Sequence, residues 1–137
     1  MPAITHVLET ALYANDLAAT AKFYADILGL APLLETPRLV AFDAGSRSVL
    51  LVFQEGSMSE DLETDEGVIP AHDGKGRLHF ALGIPKGDLE DWRKHLAQRG
   101  VPIISETHWR RGGTSLYFHD PDGHVVELAT PGLWATF

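Results

Sequence analysis

Residues 116–129 read LYFHDPDGHVVELA and combine two strand-like runs with a strong turn signal. Aromatic and β-branched residues on both sides favour extended chain, and Asp-Pro-Asp-Gly at 120–123 is typical of a tight turn. The stretch therefore predicts a β-hairpin whose second strand carries Glu127. A similar hairpin is predicted in the first half of the chain, where residues 40–51 read VAFDAGSRSVLL.

The elements before each hairpin also repeat. Residues 7–13 (VLETALY) and 77–83 (RLHFALG) share a Leu-polar-x-Ala-Leu pattern that indicates a strand. Each strand precedes an aspartate that can cap a helix, Asp16 or Asp88, and a glycine that can end it, Gly29 or Gly100. The apolar positions expected on the two helices are Leu17, Ala21, Tyr24 and Leu28 in the first, and Leu89, Trp92 and Leu96 in the second.

Short strands near 32–34 and 103–105 complete the repeat, so the sequence predicts an α+β fold of two tandem βαβββ modules. We expect one domain over residues 1–137, with modules at 5–54 and 77–130. Residues 55–76 join them, show no periodicity and are interpreted as a linker or a lid, with a disordered connector as an equal alternative.

Composition limits the possible functions. The chain has 137 residues and no cysteine, which excludes disulfides, thiolate metal sites and cysteine nucleophiles. Its net charge of −8 argues against binding to nucleic acid or to an anionic membrane. No run of apolar residues approaches the ~20 needed to span a bilayer, and we expect a soluble, cytoplasmic protein.

Strand parity places three possible metal ligands at related positions. Glu9, His79 and Glu127 lie on three predicted strands, and each is followed two residues later by alanine, which leaves room for a ligand. The fourth related position is Leu51, which cannot bind metal. Taken singly, each glutamate can be an exposed strand residue and His79 an ordinary core or surface histidine.

Together, the three donors predict a divalent cation site. Two carboxylates buried near each other are costly, and a doubly positive ion offsets their repulsion. Two carboxylates and one imidazole suit Mn, Fe, Ni or Zn in the 2+ state, and Mg is also possible. Glu127 and Glu9 are the candidate catalytic groups, because a ligating carboxylate can also move a proton.

Four residues are candidates for substrate binding: Arg111, Tyr13, Phe53 and Trp134. Arg111 follows Arg110 and can bring positive charge to an anionic substrate, although a solvated arginine pair is the simpler interpretation. Tyr13 and Phe53 share the parity of Glu9 and Leu51. Trp134 either closes the pocket, packs on a partner chain or packs on its own core.

Several motifs closely resemble those of the vicinal oxygen chelate (VOC) superfamily, the group of glyoxalases, bleomycin resistance proteins and dioxygenases. They are DL at 16–17, FY at 23–24, LG at 28–29, HFA at 79–81 and YFHDPDGHVVE at 117–127. The resemblance covers nearly the whole chain. It implies a U-shaped mixed sheet around a central cavity that holds a metal, usually in a homodimer.

The resemblance also assigns positions to ligands. The family's second-half histidine falls on His79 and its last-strand glutamate on Glu127, whereas the first-strand ligand, commonly His or Gln, falls on Glu9. The extra carboxylate of glyoxalase I falls near Leu51 and is absent here. These departures argue against glyoxalase I activity and weaken the match to the two-histidine site of ring-cleaving dioxygenases.

Two functions follow as expectations. The first is a metal-dependent enzyme, a glyoxalase-like lyase or isomerase or a dioxygenase-type oxidoreductase, that acts on a small molecule with vicinal oxygens. The second is a non-catalytic protein that sequesters an antibiotic or another small molecule, as bleomycin resistance proteins do. Fosfomycin-modifying transferases are expected least, because the first-strand histidine and a recognisable cation loop are missing.

Overall fold

In the computed structural model, which describes residues 1–137, each half of the chain forms a four-stranded sheet and one α-helix. The chain divides into residues 1–75, called unit 1, and residues 76–137, called unit 2. The elements of unit 1 are β1 (Glu9–Ala14), α1 (Leu17–Leu28), β2 (Pro32–Glu35), β3 (Leu39–Asp43), β4 (Val49–Gln54), β5 (Leu62–Thr64) and β6 (Gly67–Ile69). Those of unit 2 are β7 (His79–Gly83), α2 (Leu89–Gln98), β8 (Ser105–His108), β9 (Thr114–His119) and β10 (Val125–Ala129).

The two sheets have the same topology. Strand order is β1-β4-β3-β2 in unit 1 and β7-β10-β9-β8 in unit 2. In each sheet the first strand runs parallel to the last, and the other pairings are antiparallel. The predicted α+β fold of two βαβββ modules is therefore confirmed, together with both hairpins.

The first strand of each module is shorter than predicted. β1 begins at Glu9 and β7 at His79, each two residues later than the sequence pattern suggested. The carbonyls of Leu8 and Leu78 already accept ladder bonds from Val49 and Val125. Pairing with the partner strand starts there, so the earlier residues lie outside the ladder.

Helix α1 confirms most of its predicted signals. The Asp16 carboxylate accepts a hydrogen bond from the Ala19 backbone N–H at 3.1 Å, as an N-cap should. Gly29 ends the helix in the left-handed region at φ +69°, where a side chain would be strained. The buried face differs from the prediction at one position, because the buried residue between Leu17 and Tyr24 is Thr20 and not Ala21. Thr20 is three residues after Leu17 and four before Tyr24, so all three share one side of the helix.

Helix α2 differs more. Asp88 precedes it but makes no side-chain cap bond, because Asp88 lies in the helical region at the end of a short 3-10 turn, Lys86–Asp88. Leu96 is fully buried, whereas Leu89 and Trp92 are half-buried. The helix is fastened to β8 by Arg93, which forms ion pairs with Glu90 on its own helix and with Glu106.

The missing periodicity suggested that the segment between the modules is irregular. Part of it forms regular structure instead. Residues 62–69 form a small antiparallel hairpin of β5 and β6. Its strands are three residues long, too short for an alternating pattern to stand out. Met58, before this hairpin, is buried, and its carbonyl accepts a hydrogen bond from the His72 N–H at 2.9 Å.

Each unit has its own apolar core. Unit 1 buries side chains from β1, α1, β3 and β4, among them Leu12, Tyr24, Phe42, Leu50 and Val52. Unit 2 buries Leu96, Leu116, Phe118, Val126 and Leu128. Each such side chain contributes roughly 1.5–3 kcal/mol to folding. Neither α-helix has the length and apolar character required to cross a membrane.

Candidate metal centre

The structure brings His79 and Glu127 together in unit 2. His79 is the first residue of β7 and pairs in register with Val125, and Glu127 lies two residues further along β10. Residues two apart on a strand share a face, so both side chains project from the same side of the sheet. His79 Nε2 lies 3.2 Å from Oε2 of Glu127.

A hydrogen bond to the backbone fixes the role of one ring nitrogen of His79. His79 Nδ1 lies 3.0 Å from the carbonyl oxygen of Val125. A carbonyl oxygen only accepts hydrogen bonds, so Nδ1 carries the proton. In the neutral imidazole Nε2 then presents a lone pair toward the Glu127 carboxylate, and two such acceptors need a proton or a cation between them.

The spacing and chemistry of His79 Nε2 and Glu127 Oε2 fit a metal ion. Ligand atoms 3.2 Å apart are compatible with one ion, since His nitrogen and carboxylate oxygen each lie about 2.0–2.2 Å from a bound Zn²⁺. An Nδ1–H bonded to a backbone carbonyl is the usual arrangement behind an Nε2 ligand. Glu127 is 5% exposed and His79 about half exposed, so one partner is held firmly while the other can be approached.

Glu127 is further constrained by Ser115, which the sequence analysis did not identify, and through Ser115 by Trp109. The Ser115 hydroxyl on β9 donates to Oε1 of Glu127, and Ser115 in turn accepts a hydrogen bond from the indole N–H of Trp109 at 2.8 Å. The pairing register explains the contact, because Tyr117 pairs opposite Glu127 and Ser115 lies two residues from Tyr117 on the same face.

Glu9 lies in unit 1, where it is exposed at the start of β1. Strand register makes it the counterpart of His79: Glu9 pairs with Val49 as His79 pairs with Val125. By the same register Leu51, opposite Ala11, corresponds to Glu127, opposite Ala81. Unit 1 therefore offers one metal-binding side chain at these positions and unit 2 offers two.

The aromatic residues of β1 and β4 contact each other. Tyr13 and Phe53 stack with ring centroids 5.9 Å apart, and His72 packs edge-on against Phe53 at 4.7 Å. Phe53 is almost completely buried, and Tyr13 is half-buried. Burial raises the pKa of the Tyr13 phenol above its ordinary value, and the negative charge of Asp73 raises that pKa further.

The other two predicted substrate-binding residues are exposed on unit 2. Arg111 lies in the tight turn between β8 and β9, which is closed by hydrogen bonds between Trp109 and residues 112 and 113. Trp134 lies in the C-terminal segment and is 71% exposed. Neither residue contacts Glu127 directly through a hydrogen bond or an ion pair.

A second group of metal-binding side chains occurs in the β9–β10 turn. Ligand atoms of Asp120, Asp122 and His124 lie within 4.8 Å of one another. Oδ1 of Asp120 accepts backbone N–H bonds from Asp122 and His124, and Nδ1 of buried His124 accepts the Leu78 N–H at 2.9 Å. These bonds fix the turn and join it to the chain before β7, so His124 has a structural role in this turn.

A groove of about 740 Å³ lies between α1 and strands β2 and β3 of unit 1. Its walls include Ala21, Ala25, Pro32, Pro37 and Phe42, and none of the predicted site residues lines it. The groove is thus separate from the positions that carry possible metal ligands.

Two known proteins and one crystal structure are similar to this chain over most of its length. Metallothiol transferase FosB from Bacillus licheniformis is 31% identical over 117 residues, which cover 85% of this chain and 69% of the relative. Biphenyl-2,3-diol 1,2-dioxygenase 3 from Rhodococcus globerulus is 32% identical over 133 residues, or 93% of this chain and 62% of the relative. The crystal structure of lactoylglutathione lyase from Agrobacterium tumefaciens superposes with a TM-score of 0.87 at 34% identity, covering 96% of this chain and 98% of the other.

The profile of the Glyoxalase/Bleomycin resistance protein/Dioxygenase superfamily matches residues 3–128. This match covers the first module, the second module up to residue 128, both helices and all three predicted ligands. It confirms the resemblance seen in the sequence motifs, and the chain belongs to that superfamily.

Proposed function

We propose that this protein is a divalent-metal-dependent enzyme that acts on a small molecule with vicinal oxygens, and that Glu9, His79 and Glu127 bind the metal. The observation that carries the proposal is the 3.2 Å approach of His79 Nε2 to Glu127 Oε2, with Nδ1 occupied by a backbone carbonyl. This geometry directs His79 Nε2 and a buried carboxylate at the same point.

The donor types support the choice of ion. One imidazole and two carboxylates suit Mn, Fe, Ni or Zn in the 2+ state, and Mg is a further candidate. When bound, such a cation would supply Lewis-acid polarisation of a carbonyl or hydroxyl oxygen of the substrate. The charge of the ion would also offset the repulsion between two carboxylates.

The protein's own groups would move the proton. Glu127 is buried with Oε1 held by Ser115, so Oε2 is the oxygen that would serve as metal ligand and, transiently, as base toward the substrate. Glu9 is exposed, and its carboxylate is the second candidate base. Removal of a proton next to an oxygen is a step shared by lyases and isomerases that act on such compounds, so this class is our first expectation, with dioxygenase-type chemistry beside it.

Thiol transfer is a second candidate reaction. It is supported by 31% identity to the metallothiol transferase FosB from Staphylococcus haemolyticus, over 87% of this chain and 78% of the relative. The similarity raises this class above its rank in the sequence analysis. Glu9 in place of a first-strand histidine still separates this chain from the expected ligand pattern.

A non-catalytic binding protein is the alternative from another class. The net charge of −8 suits capture of a cationic compound. Sequestration needs no oriented histidine-carboxylate pair, however, and the contacts of His79 and Glu127 therefore favour the enzyme. Tyr13, Phe53, Arg111 and Trp134 are proposed to contact the substrate in either case, and a homodimer in the cytoplasm stays our prediction.

Metal content tests the proposal. Protein purified without a metal-binding tag is analysed for its elements, beside Glu9→Ala, His79→Ala and Glu127→Gln. We expect a stoichiometric divalent metal in the parent protein and its loss in all three variants. Asp122→Asn is the matched control, since it removes a carboxylate from the turn cluster and should leave the metal in place.

Trace metal that is equal in all of these samples would overturn the enzyme proposal and favour sequestration. Loss of metal in Asp122→Asn alone would move the site to the β9–β10 turn. Circular dichroism of each variant shows whether the fold is retained, because an unfolded variant would lose metal for another reason.

A further inference from the structure

A chain of two hydrogen bonds leads from the surface to the Glu127 carboxylate. The indole Nε1–H of Trp109 donates to Oγ of Ser115 at 2.8 Å, and the Ser115 hydroxyl donates to Oε1 of Glu127. Trp109 is 39% exposed, whereas Ser115 is fully buried. The chain therefore connects a residue at the surface with a carboxylate in the interior of unit 2.

The direction of this chain is fixed by chemistry. An indole nitrogen can only donate, so Ser115 must accept from Trp109. A serine hydroxyl has a single proton, and with its oxygen accepting from Trp109 that proton points to the Glu127 carboxylate, which can accept it. Ser115 thus satisfies Oε1 and leaves Oε2 facing His79.

Because Ser115 and Glu127 are both buried, loss of the Ser115 hydroxyl costs more free energy than loss of a hydrogen bond at the surface. Ser115 is 0% exposed and Glu127 is 5% exposed, so water cannot readily replace the hydroxyl. A buried carboxylate oxygen that loses its donor is costly and tends to rotate toward another partner. Removal of the hydroxyl should therefore alter the orientation of the carboxylate.

Trp109 is itself held by the backbone of the β8–β9 turn. The backbone N–H of Trp109 donates to the Gly113 carbonyl at 2.8 Å, and the Trp109 carbonyl accepts from the Gly112 N–H at 2.9 Å. Gly113 packs so closely on Gly132 that an added Cβ would lie 2.8 Å from the Gly132 carbonyl carbon. The indole consequently has a defined position from which to orient Ser115.

We propose that Ser115 and Trp109 are positioning residues for Glu127: they hold its Oε1 so that Oε2 alone is directed to the metal beside His79. The inference rests on the proposed function, because it concerns the same site. Neither residue contacts the ion, and both act through the carboxylate. Outer hydrogen-bond partners of this kind typically change metal affinity 10- to 100-fold when they are removed.

Metal titration of the full chain tests the inference. Chelator-treated protein is titrated with Co²⁺ by calorimetry and by visible absorption, for the parent protein, Ser115→Ala, Ser115→Thr and Trp109→Phe. We expect Ser115→Ala to bind Co²⁺ about 10- to 100-fold more weakly than the parent protein. Its Co²⁺ spectrum should also change, because both carboxylate oxygens of Glu127 become available to the ion. Ser115→Thr keeps a hydroxyl and should restore affinity, and Trp109→Phe should weaken binding less than Ser115→Ala.

Two substitutions serve as controls. Ser105→Ala removes an exposed serine from the neighbouring strand β8 and should leave affinity and spectrum unchanged. Binding of Co²⁺ should alter tryptophan emission in the parent protein and in Trp92→Phe but less in Trp109→Phe, since Trp109 is hydrogen-bonded through Ser115 to Glu127 and Trp92 is not. Circular dichroism confirms that each variant is folded.

The outcomes separate the two proposals. Parent protein that binds Co²⁺ while Ser115→Ala retains both its affinity and its spectrum overturns the positioning role and leaves the metal site standing. Parent protein that binds no Co²⁺ overturns the proposed function, and the positioning role with it. A weaker Ser115→Ala together with rescue by Ser115→Thr supports the inference, including when Ser115→Ala is less stable.

Discussion

The hydroxyl of Tyr13 lies 2.6 Å from Nδ1 of His72, and this hydrogen bond ties the end of the connecting segment to strand β1. Gly74 passes so close to the Tyr13 ring that an added Cβ would lie 2.6 Å from one of its ring carbons. Lys75 and Glu55, at the two ends of the segment, form an ion pair at 3.2 Å. The segment therefore returns to the sheet of unit 1 at a defined place.

Tyr13→Phe should lower the free energy of unfolding by about 1 kcal/mol, the usual value for one hydrogen bond. The difference from the parent protein should depend on pH in one direction. The pKa of Tyr13 is raised in the folded state by burial and by Asp73, whereas in the unfolded chain the Tyr13 phenol ionises near pH 10. The advantage of Tyr13 is full below about pH 10 and is lost as pH rises through the higher folded pKa.

Urea unfolding of the parent protein, Tyr13→Phe, His72→Ala and the double variant between pH 7 and 11 measures both effects. We expect the double variant to be more stable than additivity of the single changes predicts, because both single changes remove the same bond. Additive losses, with a difference that does not change above pH 10, would contradict this assignment.

His124→Phe should lower the free energy of unfolding by about 1–3 kcal/mol. Nδ1 of His124 accepts the Leu78 N–H in a site that is 2% exposed, and phenylalanine leaves that donor without its acceptor. His119→Phe is the matched control, since His119 is exposed on the same hairpin and should change stability little. Equal effects of the two substitutions in thermal or urea unfolding would show that the His124 contact is unimportant.

Gly132→Ala should destabilise the protein by more than about 1 kcal/mol. A Cβ at this position would lie 2.4 Å from the Gly113 backbone nitrogen, and Gly132 has φ +109°, which alanine rarely adopts. Gly87→Ala provides the comparison, because nothing lies within 4 Å of a Cβ there and φ is not positive. Thermal unfolding of both variants is the measurement. Stability of Gly132→Ala equal to that of Gly87→Ala would refute the close approach of residues 113 and 132.

The fold was predictable from sequence because its signals are local and occur twice. Asp16, Gly29 and the turn at 120–123 each act within a few residues, and the structure confirms all three. Asp88 misled for a related reason: the residue type suits a cap, but its backbone continues a 3-10 turn and its carboxylate makes no cap bond. Residue type alone does not specify the backbone conformation on which a cap depends.

The candidate site was predictable to the extent that strand parity determines it. Parity placed His79 and Glu127 on one face, and the structure finds their side chains in contact. Ser115 was missed because a serine in a strand has no distinctive pattern, and its importance comes from pairing register between β9 and β10. His72 was missed because it lies in the connecting segment, for which the sequence has no periodicity, and its partner Tyr13 is 59 residues away in β1.

The most direct test of the central claim is anomalous diffraction from crystals of the full chain grown with Mn²⁺. We predict an anomalous peak bound by His79 Nε2, by a carboxylate oxygen of Glu127 and by the carboxylate of Glu9. An ion held only by Asp120, Asp122 and His124, or a peak from which Glu9 is absent as a ligand, would contradict the account.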